Sequence, residues 1–300
     1  MRILVTGASG LLGMNFSMQV KTEHSISAVV NSHGLRSLDF DSIPVDLLAK
    51  NVIPQLIDKT EPDWILHCAA IAGIDRSDNQ EELSQKLNAE IPGVLSLEAK
   101  KRNIRLLHIS TDAVFDGKKG NYSEEDPTNP MSVYAKTKLA GERAVLEANS
   151  DALVARVVFY GWSLFGNRSL SEFFINNLLK GKQVKGFTNL QFCPLQVNHL
   201  ADILLEMMKK NLSGIYHAVS SESLSKYDFG VKLAQKFALD AGLIAPVKNN
   251  RENRSLNLTL NTDKLTKELG HAMPNIQIGI EHLFEQFNTG YLDKIERMRF

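Results

Sequence analysis

The short apolar run Arg2 to Thr6 (RILVT) opens directly onto three glycines, Gly7, Gly10 and Gly13, and a helical pattern follows from Leu11 to Val20. A strand, a G-x-x-G-x-x-G turn and a helix in immediate succession leave few folds open. One glycine makes the tight turn and another lets the backbone approach a diphosphate. The helix start then presents unbonded N–H groups and the positive end of its dipole. Glycines alone would fit an ordinary Gly-rich turn; directly after an apolar strand they predict a dinucleotide site.

The same rhythm recurs downstream. Strands are expected near Ile26–Val30, Trp64–Ala69, Ile104–Ser110 and Leu153–Val158. Between them helices are expected near Val52–Lys59, at Glu81–Arg102 with a kink at Pro92, and at Ser132–Ala148. Strands alternating with helices predict an α/β, Rossmann-type doubly wound parallel sheet. After Tyr160 the pattern loosens. Helices are expected at Leu170–Leu179, His199–Lys210, Lys226–Phe237 and Ile278–Phe287, and short strands near Gln183–Lys185 and Ile215–Val219. The expected division is a dinucleotide-binding domain over 1–160, which also receives part of 187–215, and a smaller mixed α/β substrate-binding region mainly over 161–300.

Composition narrows the partners. With 34 basic against 34 acidic side chains, no excess charge calls for nucleic acid or an anionic membrane. No apolar run has the length of a membrane span, and Ile3–Val5 is too short for a signal segment. The two cysteines, Cys68 and Cys193, fit reduced thiols, so a cytoplasmic protein is expected. The eight histidines show no ligand spacing, and no metal is expected. His67 and His108 fall on core strands and read as satisfied structural histidines. Glu124, Glu125 and Asp126 read as a solvated turn.

An NAD site usually places a carboxylate after the second strand, on the ribose 2′-OH. Here that place holds Asn31, followed by His33 and Arg36, either of which suits a 2′-phosphate. The expected cofactor is NADP(H), with NAD(H) the alternative; Arg36 as a plain loop arginine is the competing reading. Asp46 suits the adenine or a helix cap.

Tyr134 and Lys138 frame a Y-x-x-x-K, a spacing that puts both on one helix face. An ammonium beside a phenol is expected to lower the phenol's pKa towards neutrality. Tyr134 would then give a proton to a carbonyl oxygen, and Lys138 would hold the nicotinamide ribose. Such a pair also arises by chance. Its context is Thr111, at the C-terminal end of a buried strand, where it is placed to bond the substrate carbonyl.

GASGLLG at 7–13, HCAA at 67–70, STDAVFDG at 110–117 and YSEEDPTNPMSVYAKTKLAGE at 122–142 resemble the extended short-chain dehydrogenase/reductases, and among them the dTDP-4-dehydrorhamnose reductases. The resemblance implies Thr111, Tyr134 and Lys138 as catalytic residues. It implies a cofactor lined by Gly7, Ser9, Gly10, Leu11, Leu12, Asp46, Leu47, Ala69 and Ala70, with Lys138 and backbone near Val158. It puts Ala113, Phe115, Phe159 and Arg254 towards the substrate, and Asn88 on the long helix as a support of the site. Ala113 and Phe159 replace the tyrosine and tryptophan usual in the reductases. Leu195 and Ser255 depart from the usual threonine and proline. The implied activity is reduction of a ketone, the 4-keto group of a nucleotide-linked deoxysugar, by a chain that forms a homodimer. Two alternatives stay open: epimerase or dehydratase chemistry with bound NAD, and a non-catalytic regulatory subunit like that of methionine adenosyltransferase.

Overall fold

The computed structural model describes residues 1–31, 33–36, 40–73, 77–250 and 255–299. Its centre is a parallel sheet of β1 (Arg2–Thr6), β2 (Ser25–Val30), β3 (Asp41–Pro44), β4 (Trp64–His67), β5 (Arg105–Thr111), β6 (Leu153–Val157) and β7 (Gly214–His217). Their spatial order is β7-β6-β5-β4-β1-β2-β3. The chain runs outward from β1 to β3 and then returns to lay β4 on the other side of β1. That reversal opens a crevice at the C-terminal ends of β1 and β4, where parallel sheets bind ligands.

Alternate strand residues feed two cores, as the two-residue side-chain period requires. Ile3, Val5, Leu66, Leu107 and Ala155 pack on one face, and Leu4, Ile65, Leu106 and Val154 on the other. The first face is covered by α1 (Leu11–Val20) and, later in the chain, α7 (Val197–Lys209). The second is covered by α2 (Val52–Thr60), α4 (Ile91–Lys101) and α5 (Val133–Ala148). Ser132 caps α5, its side chain accepting from the Ala135 amide.

The expected kinked helix is a composite. α3 (Glu81–Gln85) passes through one wide π-type segment, Lys86–Glu90, into α4. Pro92 has no N–H to return to the Asn88 carbonyl four residues back, so the ladder widens ahead of it rather than simply bending. The adjustment serves α5. A Cβ added at Gly141 would lie 2.2 Å from the Asn88 carbonyl oxygen, so the two helices meet backbone to side-chain-free backbone. Gly141→Ala should therefore destabilise the fold by about 1–3 kcal/mol through overpacking. Urea unfolding checks this, and an unchanged midpoint would refute the close approach.

In the second region, α6 (Leu170–Leu178), α8 (Lys226–Lys236), α9 (Asp263–Leu269), α10 (Ile276–Asn288) and α11 (Tyr291–Glu296) carry three two-stranded pairs. Val184–Phe187 pairs with Ile244–Val247, Gln191–Phe192 with Leu224–Ser225, and Phe159–Tyr160 with Leu195–Gln196. The strand expected near Ile215–Val219 belongs instead to the main sheet as β7, beside β6. Its partner lies about 60 residues earlier in the chain, so the local pattern carries no sign of the pairing.

Candidate active site

Gly7 leaves β1 at φ +66°, a left-handed turn, and a Cβ there would come within 2.7 Å of the Ala69 amide nitrogen. β1 and β4 can close together at their ends only because this residue has no side chain. Gly13 is equally tight against the turn, at 2.6 Å from the Gly7 carbonyl oxygen. Gly10 precedes α1, and no side chain caps that helix, so its first amides are left without side-chain partners beside the crevice.

The crevice is a groove of about 250 Å³. Gly7, Ser9 and Gly10 line it on one side and Cys68, Ala69 and Ala70 on the other, with Asn31, His33 and Leu47 at the far end. Leu12 turns its side chain into the core and Leu11 packs against that core, and neither lines the groove. Asp46 does not line the groove; it is exposed and accepts the Leu48 amide at 3.0 Å, capping a turn. Arg36 is set apart as well. It lines a different cavity of about 920 Å³, between the C-terminal half of α1 and the C-terminal helices. Among the described residues, the arginine that lines the groove is Arg168, from the loop before α6.

On the other side of β5 lies a second cavity of about 170 Å³, lined by Asp112, Ala113, Ser132, Val158, Gln191, Lys226 and Ser255 among others. Ala113 and Val158 thus meet here. Phe115 does not line it: it is wholly buried, stacked on Tyr122 at 4.2 Å and beneath the Arg156 guanidinium at 5.1 Å. Phe159 is half-buried in its pair with Leu195 and lines neither space. Arg254 lies outside the described residues.

Thr111, Tyr134 and Lys138 line neither space; they come together where the end of β5 meets α5. Thr111 and Asp112 both stand close enough to the Tyr134 phenol to act on it, while the Thr111 hydroxyl donates to Asp112 Oδ1 at 3.0 Å. Burial pushes the phenol up to about 12, with the neighbouring Thr111 hydroxyl offsetting part of the rise. The expected lowering by Lys138 is therefore corrected. The ammonium points away, donating to the Ile109 carbonyl at 2.6 Å and to His108 Nε2 at 3.3 Å. Burial brings Lys138 down to about 8, and the charge of Glu142 holds it up against that fall.

His108 lies flat on His67, ring centroids 5.2 Å apart, and His67 Nδ1 meets the Thr6 hydroxyl at 2.6 Å. Burial holds both rings neutral, His67 down at about 3. Each leaves one buried ring nitrogen without a partner, so they are less than fully satisfied. Asn88 is buried and bonds three ways: from the Ile71 amide, to the Ile71 carbonyl and to the Thr137 hydroxyl. It ties the loop after β4 to the helix that carries Tyr134 and Lys138. The acidic turn is not wholly solvated, because Glu124 accepts the His217 amide at 2.9 Å.

Asp112 was missed by sequence reasoning, although its place beside Thr111 at the strand end was a usable signal. Burial raises its carboxyl to about 6, with the Thr111 hydroxyl bonded to it at 3.0 Å. The folded value lies above the ordinary 3.8, so ionisation costs stability: nothing below about pH 3.8, and the full amount above about 6. Asp112→Asn should then stabilise the chain by roughly 3 kcal/mol at pH 7 and not at all near pH 3.5. Unfolding free energies at the two pH values test this; an equal effect at both would refute it. Arg168 had no signal in the local pattern.

Residues 1–289 match the family model described as RmlD substrate binding domain. The Haloferax volcanii protein named probable low-salt glycan biosynthesis reductase Agl14 is 31% identical, over 96% of this chain and 99% of its own. Methionine adenosyltransferase 2 subunit beta of Pongo abelii is 31% identical, over 93% of this chain and 86% of its own. Among solved structures, a hypothetical dTDP-4-dehydrorhamnose reductase from Sulfolobus tokodaii has a TM-score of 0.82 and 30% identity, covering 93% of this chain and 99% of that one.

Proposed function

The chain belongs to the RmlD substrate binding domain family, and from that premise we propose that it is an NADP(H)-dependent ketone reductase. Its substrate in this reading is the 4-keto group of a nucleotide-linked deoxysugar, bound mainly by residues of 161–300. The observation that carries the reading is the meeting of Thr111 at the end of β5 with Tyr134 and Lys138 on α5, beside Asp112 and Ser132 of the second cavity.

The groove suits a dinucleotide. Glycine backbone and the uncapped start of α1 fit the diphosphate, and among the described residues no carboxylate lines it to repel a further phosphate. When bound, the nicotinamide supplies the hydride that reduces the carbonyl carbon. Everything else is work for this chain. Thr111 orients the carbonyl oxygen by its hydroxyl. Tyr134, held protonated by burial, stands ready to give that oxygen its proton. Lys138 keeps a positive charge at neutral pH and, in this reading, holds the nicotinamide ribose hydroxyls.

A panel of dTDP-, GDP-, UDP- and CDP-4-keto-6-deoxysugars, mixed with NADPH and the purified chain, tests the proposal by absorbance of the reduced nicotinamide. Consumption with one nucleotide class supports it and names the class; no consumption with any member sinks it. The likeness to an adenosyltransferase subunit favours one second reading, a non-catalytic subunit of another enzyme. Co-purification with a partner enzyme, together with silence across the panel, would establish that reading instead.

A further inference from the structure

Arg168 and His33 come to the groove from opposite lips, one from the loop before α6 and the other from the turn after β2, and they share one neighbour. The Arg168 guanidinium carbon lies 5.5 Å from the centre of the Phe165 ring. The His33 ring meets the same phenyl edge-on at 5.0 Å. Phe165 is 39% exposed, so its face is open to carry the guanidinium. The platform beneath it is rigid. Glu172, wholly buried, accepts from the amides of Ser163, Arg168 and Ser169 and from the Ser163 hydroxyl. Asn176 ties down the Gly166 carbonyl at 2.6 Å, and Arg299 ties the Leu164 carbonyl at 2.7 Å.

A guanidinium laid on an aromatic face keeps its N–H fork in one plane and needs little further ordering to grip an oxyanion. It faces the groove next to Asn31, where an adenosine ribose would lie if the dinucleotide follows the glycine turn. We propose that Arg168, held on Phe165 beside His33, recognises the phosphate monoester on the adenosine 2′-oxygen and so sets the preference for NADP(H) over NAD(H). Selectivity then comes from the loop before α6 and not from Arg36, which lines another cavity. The inference rests on the NADP(H) reading above.

Calorimetric titration of the full chain with 2′,5′-ADP and with 5′-AMP separates the two, since these ligands differ only in the 2′-phosphate. The wild-type chain should bind 2′,5′-ADP at least about tenfold more tightly. Arg168→Ala should weaken 2′,5′-ADP by about 10- to 100-fold, the loss expected for a charge-assisted bond, and leave 5′-AMP unchanged. Arg168→Lys should recover part of the loss, and Arg36→Ala should change neither ligand. A wild-type preference that survives Arg168→Ala, or an equal loss for both ligands, overturns the role of Arg168 and spares the NADP(H) reading. A wild-type chain that binds the two ligands equally overturns both. Unchanged melting temperatures, expected for an exposed side chain, separate loss of contact from loss of fold.

Discussion

Tyr134→Phe should lower kcat by about 10²- to 10⁴-fold, the usual worth of a positioned general acid, while NADPH binds with an affinity within a few-fold of wild type. The variant loses one hydroxyl. That hydroxyl stands beside Thr111, and burial keeps it protonated at neutral pH. Single-turnover reduction with saturating NADPH reads the step directly, and near-wild-type turnover would remove Tyr134 as the acid. The pH profile carries a second sign. Lys138 is charged below about 8 and neutral above it. The reduction rate should fall as pH rises through that value, because the ammonium assigned to the nicotinamide ribose loses its charge. Lys138→Arg, a cation throughout that range, should move or abolish the falling limb; a limb at the same pH would assign it to another group.

Behind this site lies the interaction whose loss should cost the fold most. Arg156 on β6 and Glu142 on α5 are each about 2% exposed. Their contacts run from Nη2 to Oε2 at 2.8 Å and from Nε to Oε1 at 3.0 Å. The Ser110 hydroxyl donates to Glu142 Oε1 at 2.5 Å, and the guanidinium covers Phe115. Glu142→Leu leaves a buried guanidinium without its carboxylate, and should destabilise the chain by about 3–5 kcal/mol. The double variant Glu142→Leu/Arg156→Met, which removes both charges, should recover much of that. Urea unfolding of the two variants decides the matter. A single variant less harmful than the double would mean that the pair contributes nothing beyond its packing. Glu142 also helps to hold the Lys138 charge, so the single variant should lower the pH at which activity falls, if it folds.

Much of the site was legible because it is local. Gly7, Gly10 and Gly13 follow β1 without a gap, and the position of each is fixed by the turn it must make. Tyr134 and Lys138 share a helix face by spacing alone, and Thr111 ends a strand whose apolar run can be read directly. The succession of strand and helix sufficed for the parallel sheet through β6 except for β3, whose four residues, DSIP, carry no apolar run to mark a strand. Beyond it, the pairing of β7 with β6 joins segments whose own patterns contain nothing about each other.

What the sequence by itself determined is thus the turn, the periodicity and the order of elements, since these depend on neighbours within a few residues. The tertiary structure decided which charges go where. It turned Lys138 towards Ile109 and His108, buried Phe115 under Arg156, set Arg36 in a separate cavity and brought Arg168 to the groove. Each of these follows from packing between segments far apart in the chain. A buried charge takes its pKa and its partner from whatever the fold lays against it, and spacing along the chain does not encode that.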